Sequence, residues 1–214
     1  FAGDAAVFED IGFSADGKTY IFGQYGKTDG DYQAWAEIYT VDVAKNAFVK
    51  NEVYKLAPSK ATASRSGRQA YNDLYDTCGW KVGSYNVTKN QKPLYVRESN
   101  SKKSTDKISF KDFESSSDDK EIFYTIQLVP TLQGSGVNAK SKFYINVEKT
   151  DGDGKVILSK KVGTPDLWRK GVTSYRIDRI FTDSTGKSLV FIVEKTEETK
   201  EGKSIRYMVE TTTF

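Results

Sequence analysis

Apolar and polar residues alternate in short runs along most of this 214-residue chain. The runs at 18–22, 35–43 and 48–56 are rich in β-branched and aromatic residues, and glycine, asparagine or aspartate bounds them. A period of two between turn residues predicts half-buried strands. Asp16-Gly17 supplies a backbone tolerant of positive φ and predicts a hairpin between 11–13 and 18–22. Further turns at 26–31 and 44–47 make the first 56 residues a four-stranded meander. The same alternation returns at 107–113, 121–129, 142–147, 155–162, 173–181, 189–194 and 204–211, so the second half is expected to be nearly all β.

Between residues 59 and 78 the period lengthens. Ala63, Ala70, Leu74 and Cys78 recur at helical spacing with Tyr71 and Tyr75 beside them, and Gly79 stands where a C-terminal glycine ends a helix. One amphipathic helix is expected there. The polar stretch 86–105, rich in Asn, Lys and Ser, is expected to be a mobile loop or a boundary. The chain is therefore read as a single domain over 1–214, with a possible subdivision into 1–103, meander plus helix, and 104–214, antiparallel β. The expected fold class is mainly β with one amphipathic helix, its repeated antiparallel meanders arranged like propeller blades or as a sandwich or incomplete barrel.

Three segments share a strand followed by a Lys-Thr-acidic turn: Lys18 onward to Lys27-Thr28-Asp29, Lys140 onward to Lys149-Thr150-Asp151, and Lys187 onward to Lys195-Thr196-Glu197. The first and third follow similar turns, Phe13-Ser14-Ala15-Asp16-Gly17 and Phe181-Thr182-Asp183-Ser184-Thr185-Gly186. A Phe-Ser-x-Asp-Gly turn introduces strands in propeller blades. The spacing of the copies is too uneven for a regular propeller.

Composition narrows the chemistry. The 13 Tyr and 12 Phe can build a sheet core despite an apolar fraction of 37%. The absence of histidine removes Ser-His-Asp and Cys-His nucleophile systems, His-ligated zinc, haem and copper. A single cysteine, Cys78, removes intramolecular disulfides and cysteine-cluster metal sites and reads as a small core residue. No phosphate-cradling glycine loop is present, and the two Ser-x-x-Lys matches at Ser99 and Ser104 lack companion motifs. No cofactor, metal ligand or catalytic residue is assigned. Paired carboxylates could serve glycoside chemistry, but 29 acids offer no way to select two.

A net charge of +3 with mixed signs argues against a nucleic-acid binder, and no apolar run is long enough to span a bilayer. Between residues 59 and 103 nine basic residues stand against three acids, so Arg65 and Arg68 mark a candidate anion-binding face. A second candidate lies at the long turn of the first repeat. There Tyr25, Tyr32 and Trp35 could form a platform with Asp29, Asp31 and Gln33, although core packing explains the rings equally well. The opening Phe1-Ala2-Gly3-Asp4 without Met reads as a mature or trimmed terminus from which a signal peptide has been removed.

Ala2-Gly3-Asp4, Gly12-Phe13-Ser14-Ala15-Asp16-Gly17-Lys18, Phe22-Gly23-Gln24-Tyr25-Gly26 and Glu37-Ile38-Tyr39-Thr40-Val41-Asp42-Val43 together resemble a bacterial family of predicted secreted proteins of unknown function, of spirochaete type. The resemblance is strongest over residues 2–50 and extends weakly to the helix. It implies a signal peptide and a periplasmic or secreted location, and it carries over no catalytic residue. The expected function is non-enzymatic binding of an envelope protein or glycan. The alternative is a carboxylate-dependent enzyme acting on envelope polysaccharide.

Overall fold

The computed structural model describes residues 4–88, 92–98 and 107–214. In chain order its elements are β1 (Asp4–Ala5), β2 (Val7–Phe13), β3 (Thr19–Lys27), β4 (Ala34–Asp42), β5 (Ala47–Leu56), α1 (Gly67–Gly83), β6 (Tyr95–Val96), β7 (Ile108–Lys111), β8 (Ile122–Gln133), β9 (Lys140–Asp151), β10 (Val156–Val162), β11 (Arg169–Lys170), β12 (Val172–Phe181), β13 (Ser188–Thr199) and β14 (Gly202–Thr213). The protein is mainly β with one α-helix, as the alternation predicts. Much of the polar stretch expected as a loop or boundary, including both Ser-x-x-Lys matches, lies outside the described residues.

Three sheets result. The first is the expected meander, ordered β2-β3-β4-β5. The central sheet runs β1-β14-β13-β12-β6, with β1 parallel to β14. The outer sheet runs β10-β9-β8-β7, and β11 adds to the end of β9. The strands starting near Lys18, Lys140 and Lys187 are β3, β9 and β13, an inner strand of each sheet. The central sheet draws β1 and β6 from before residue 103 and its other strands from after it.

The layers follow from side-chain parity. In β13 the run Leu189 to Val193 is apolar without interruption, which suits a strand covered on both faces. Val190 and Ile192 pack with Phe13, Tyr20, Phe22 and Val41 of the first sheet. Leu189, Phe191 and Val193 pack on the other side with Tyr124, Ile126, Phe143 and Ile145 of the outer sheet. The helix covers the remaining face of the first sheet through Ala70, Tyr71, Leu74, Cys78 and Val82 against Ile21, Ala36 and Ile38. The order is therefore helix, first sheet, central sheet, outer sheet. This is a layered sandwich, the second of the arrangements that the meanders allow.

The helix differs from expectation at both ends. It begins at Gly67, because Ser66 caps it: the Ser66 hydroxyl accepts from the Gln69 N–H at 3.1 Å while the Gln69 side chain accepts from the Ser66 N–H at 2.8 Å. Residues 60–62 form a separate 3-10 turn. The helix then runs through Gly79 to Gly83. Gly79 is thus an interior position rather than a stop, and a Cβ there would meet the Tyr75 ring at 3.0 Å.

Candidate functional site

The residues singled out at the first long turn are placed on different surfaces. Tyr25 faces the helix, its ring centroid 5.5 Å from that of Tyr71, with the Arg68 guanidinium 4.6 Å away. Its hydroxyl donates to Glu9 at 3.4 Å, and Glu9 also pairs with Arg68. Burial pushes the Tyr25 hydroxyl above its ordinary range. Trp35 sits on the other face of the sheet, where its Nε1 donates to Asp4 at 3.2 Å and the Arg206 guanidinium lies 4.1 Å from the ring. Arg206 also pairs with Asp4, so Trp35 helps to fasten β1 to β14. Asp29 and Asp31 lie in the β3–β4 turn, which the main chain of Gln33 closes onto Thr28. Tyr32, at the same turn, is exposed. Arg65 pairs with Asp73 on the helix. Tyr25 and Arg68 thus meet, whereas Tyr25 and Trp35 share no face.

A different place gathers groups from all three sheets. Where β2 turns into β3 and β12 turns into β13, the two turns abut: a Cβ on Gly17 would lie 3.1 Å from Asp183. Gly17 has φ +69°, so both the backbone and the space require glycine. Beside these turns is a cleft of about 440 Å³, within the range of small-ligand sites. Phe13, Ser14 and Ala15 line it from the first sheet, Asp112, Glu114 and Ser115 from the outer sheet, and residues 182–186 from the central sheet. Thr88 and Lys92 complete the wall.

Its carboxylates have different duties. Asp183 accepts the N–H groups of Thr185, Lys187 and Ser188 at 3.1, 2.9 and 2.8 Å, together with the hydroxyls of Thr185 and Ser188. Burial works to raise its pKa, but these hydrogen bonds prevail and hold it below the ordinary carboxylate range. Asp183 is an ionised turn-former with both oxygens engaged. Glu114 is held ionised by the hydrogen bond from Lys92 at 2.6 Å. Asp112, only 3% exposed, accepts the Ser115 N–H with Oδ1. Its second oxygen, and the hydroxyls of Thr88, Ser115 and Ser184, have no hydrogen-bond partner among the described residues. The cleft therefore offers hydroxyls and one carboxylate oxygen not spent on holding the fold. Among the described residues no three acidic or cysteine side chains converge as metal ligands do.

Residues 21–213 match the model of a family described as predicted secreted protein, DUF2259. The chain belongs to this family. The DUF2259 match runs from β3 to β14, so it includes the second half, beyond the stretch where the resemblance in sequence is strongest. It takes in the outer-sheet and central-sheet walls of the cleft and leaves Phe13, Ser14 and Ala15 outside. No curated protein and no solved structure matches this DUF2259 chain. Among the described residues no helix is long and apolar enough to cross a membrane.

Sequence reasoning on this DUF2259 protein identifies the Ser14 and Asp183 turns as hairpin chemistry without seeing that they share a cleft. Asp112 escapes notice because no turn motif marks it. Its only signal is an aspartate closing a strand pattern before Ser115-Ser116, where it bonds the local main chain.

Proposed function

We propose that this secreted protein is a non-catalytic binding module of the bacterial envelope, and that the three-loop cleft takes a glycan bearing hydroxyl or amino groups. One observation carries the reading: each sheet sends a loop to a single cleft whose Thr88, Ser115, Ser184 and Asp112 side chains keep hydrogen-bonding capacity unused by the fold. Carboxylate and hydroxyl acceptors suit sugar hydroxyls and ammonium groups. The two acids Asp112 and Asp183 and the Glu114–Lys92 pair leave the wall acidic, which favours an amino sugar over an anionic one.

Carboxylate catalysis of glycoside cleavage is the weaker reading. It needs one carboxyl to give a proton and a second with a free oxygen. Asp183 spends both oxygens on its turn, and Glu114 is tied to Lys92, so Asp112 stands without a second partner for the chemistry. Calorimetric titration with chitosan oligosaccharides is the test. Binding by the native protein, at least tenfold weaker in Asp112→Asn, with no shortening of the oligosaccharide on long incubation, is the expected result. Release of shorter products would overturn the non-catalytic reading, and equal affinity in Asp112→Asn would place the ligand elsewhere.

A further inference from the structure

Among the described residues the layer order leaves one large sheet face uncovered. The first sheet carries the helix and the central sheet is covered on both sides, whereas no described element packs on the second face of the outer sheet. On that face β8 and β9 pair along their full length, and their register sets side chains in straight rows across four strands. Gln127 stands opposite Asn146, and Asn146 opposite Lys161. Lys107, one residue ahead of β7, closes the same row at its other end. The next row reads Ser109, Thr125, Glu148 and Ser159.

These rows floor a groove of about 450 Å³. Strands lie roughly 4.8 Å apart, so the Lys-Gln-Asn-Lys row presents a cation, two planar amides and a second cation over about 15 Å. All four residues are exposed, and among the described residues none of the four spends its side chain on a hydrogen bond or an ion pair. Lys160, at the edge, donates to the Thr213 carbonyl. Lys161 lies 4.4 Å from the Tyr144 ring, which holds its stem over the sheet. Among the described residues Glu148 is the single acid lining the groove.

The geometry points to this face as a binding surface for an acidic polysaccharide laid across the strands. Planar amides can engage pairs of sugar hydroxyls, and the flanking lysines suit carboxylate or sulfate substituents as point charges. The composition disfavours other polymers. A protein interface is depleted in lysine and enriched in aromatic residues and arginine at its centre, the reverse of this row. A nucleic-acid groove would present arginines and free rings for stacking, and here no arginine or aromatic residue lines the groove among the described residues, and the Tyr144 ring lies beneath Lys161. The surface is distinct from the three-loop cleft in both place and charge.

The test uses the full chain and polygalacturonate as probe, with polyglutamate as a polyanion without sugar and dextran as a neutral glycan. Polygalacturonate is expected to bind, more weakly as salt rises, with dextran and polyglutamate at least tenfold weaker. The exposed pairs Gln127→Ala with Asn146→Ala and Lys107→Gln with Lys161→Gln are each expected to reduce polygalacturonate binding at least tenfold, with an unchanged unfolding midpoint. Asp112→Asn is expected to leave it unchanged, so failure of this proposal and failure of the cleft reading are separable. Polyglutamate binding as tightly as polygalacturonate, or full binding by the amide pair variant, would overturn the assignment.

Discussion

Cys78 illustrates how one residue's surroundings decide its chemistry. Its thiol is 1% exposed between the helix and the first sheet, and burial pushes it above the ordinary thiol range. A thiol that is both inaccessible and protonated is a poor nucleophile. The native protein should therefore react with a maleimide only as fast as it unfolds, with full labelling in denaturant. Rapid labelling of the folded chain would show the helix to be loosely docked. At Asp183 the local count is larger. Replacement by alanine leaves the N–H groups of Lys187 and Ser188 without their acceptor at a buried turn, at a cost of about 2–4 kcal/mol. Asp183→Asn keeps one acceptor oxygen and should lose about half as much, read as a lower urea midpoint with unchanged slope.

At the scale of elements, the helix is held to the first sheet by close approach as well as by apolar area. Gly23 on β3 is the contact point: a Cβ there would lie 2.5 Å from a ring carbon of Tyr71, closer than the packed layers can absorb without a shift. Gly23→Ala should lift the helix and destabilise the protein by about 2–3 kcal/mol. Gly30→Ala, where nothing lies within 4 Å, should cost far less. Urea unfolding of both variants makes the comparison, and equal losses would show that the strand glycine, like the turn glycine, acts through backbone freedom instead. This level of detail marks the limit of sequence reading. Most long strands were legible because they couple period-two alternation, or in β13 an unbroken apolar run, to turn residues nearby, whereas the two-residue strands β1, β6 and β11 carry no such pattern. The helix start carries a signal in Ser66-x-x-Gln69 that went unread, because the apolar spacing back to Ala63 draws the boundary too early. The cleft was not legible, since residues 13–15, 112–115 and 182–186 meet only when three sheets stack. The same holds for the buried cluster in which Arg97 bridges Asp178 and Glu194, whose members lie 81 and 97 positions away.

At the scale of the molecule, one carboxylate draws the three sheets together. Glu210 of β14 is 2% exposed; it receives a hydrogen bond from Asn46, in the turn between β4 and β5, and another at 3.4 Å from Arg169 of β11. Asn46 in turn accepts the Thr211 N–H at 2.7 Å, so the first sheet is clamped to the central one at the position where the outer sheet's arginine arrives. Burial raises the Glu210 carboxyl above its ordinary value of 4.5, and the Asn46 hydrogen bond and the Arg169 charge offset only part of that rise. A group with a raised folded-state value binds its proton more tightly in the folded protein than in the unfolded chain. Its contribution to stability is therefore complete below pH 4.5 and is lost as pH climbs through the folded value. In Glu210→Gln that dependence disappears while the uncompensated Arg169 charge, which does not titrate, remains. Urea unfolding of both proteins at successive pH values above 4 should show the native protein's advantage over the variant shrinking as pH rises. An advantage that is constant or grows would mean that Arg169 keeps the Glu210 carboxylate ionised in the fold, and that an ion pair clamps the three sheets.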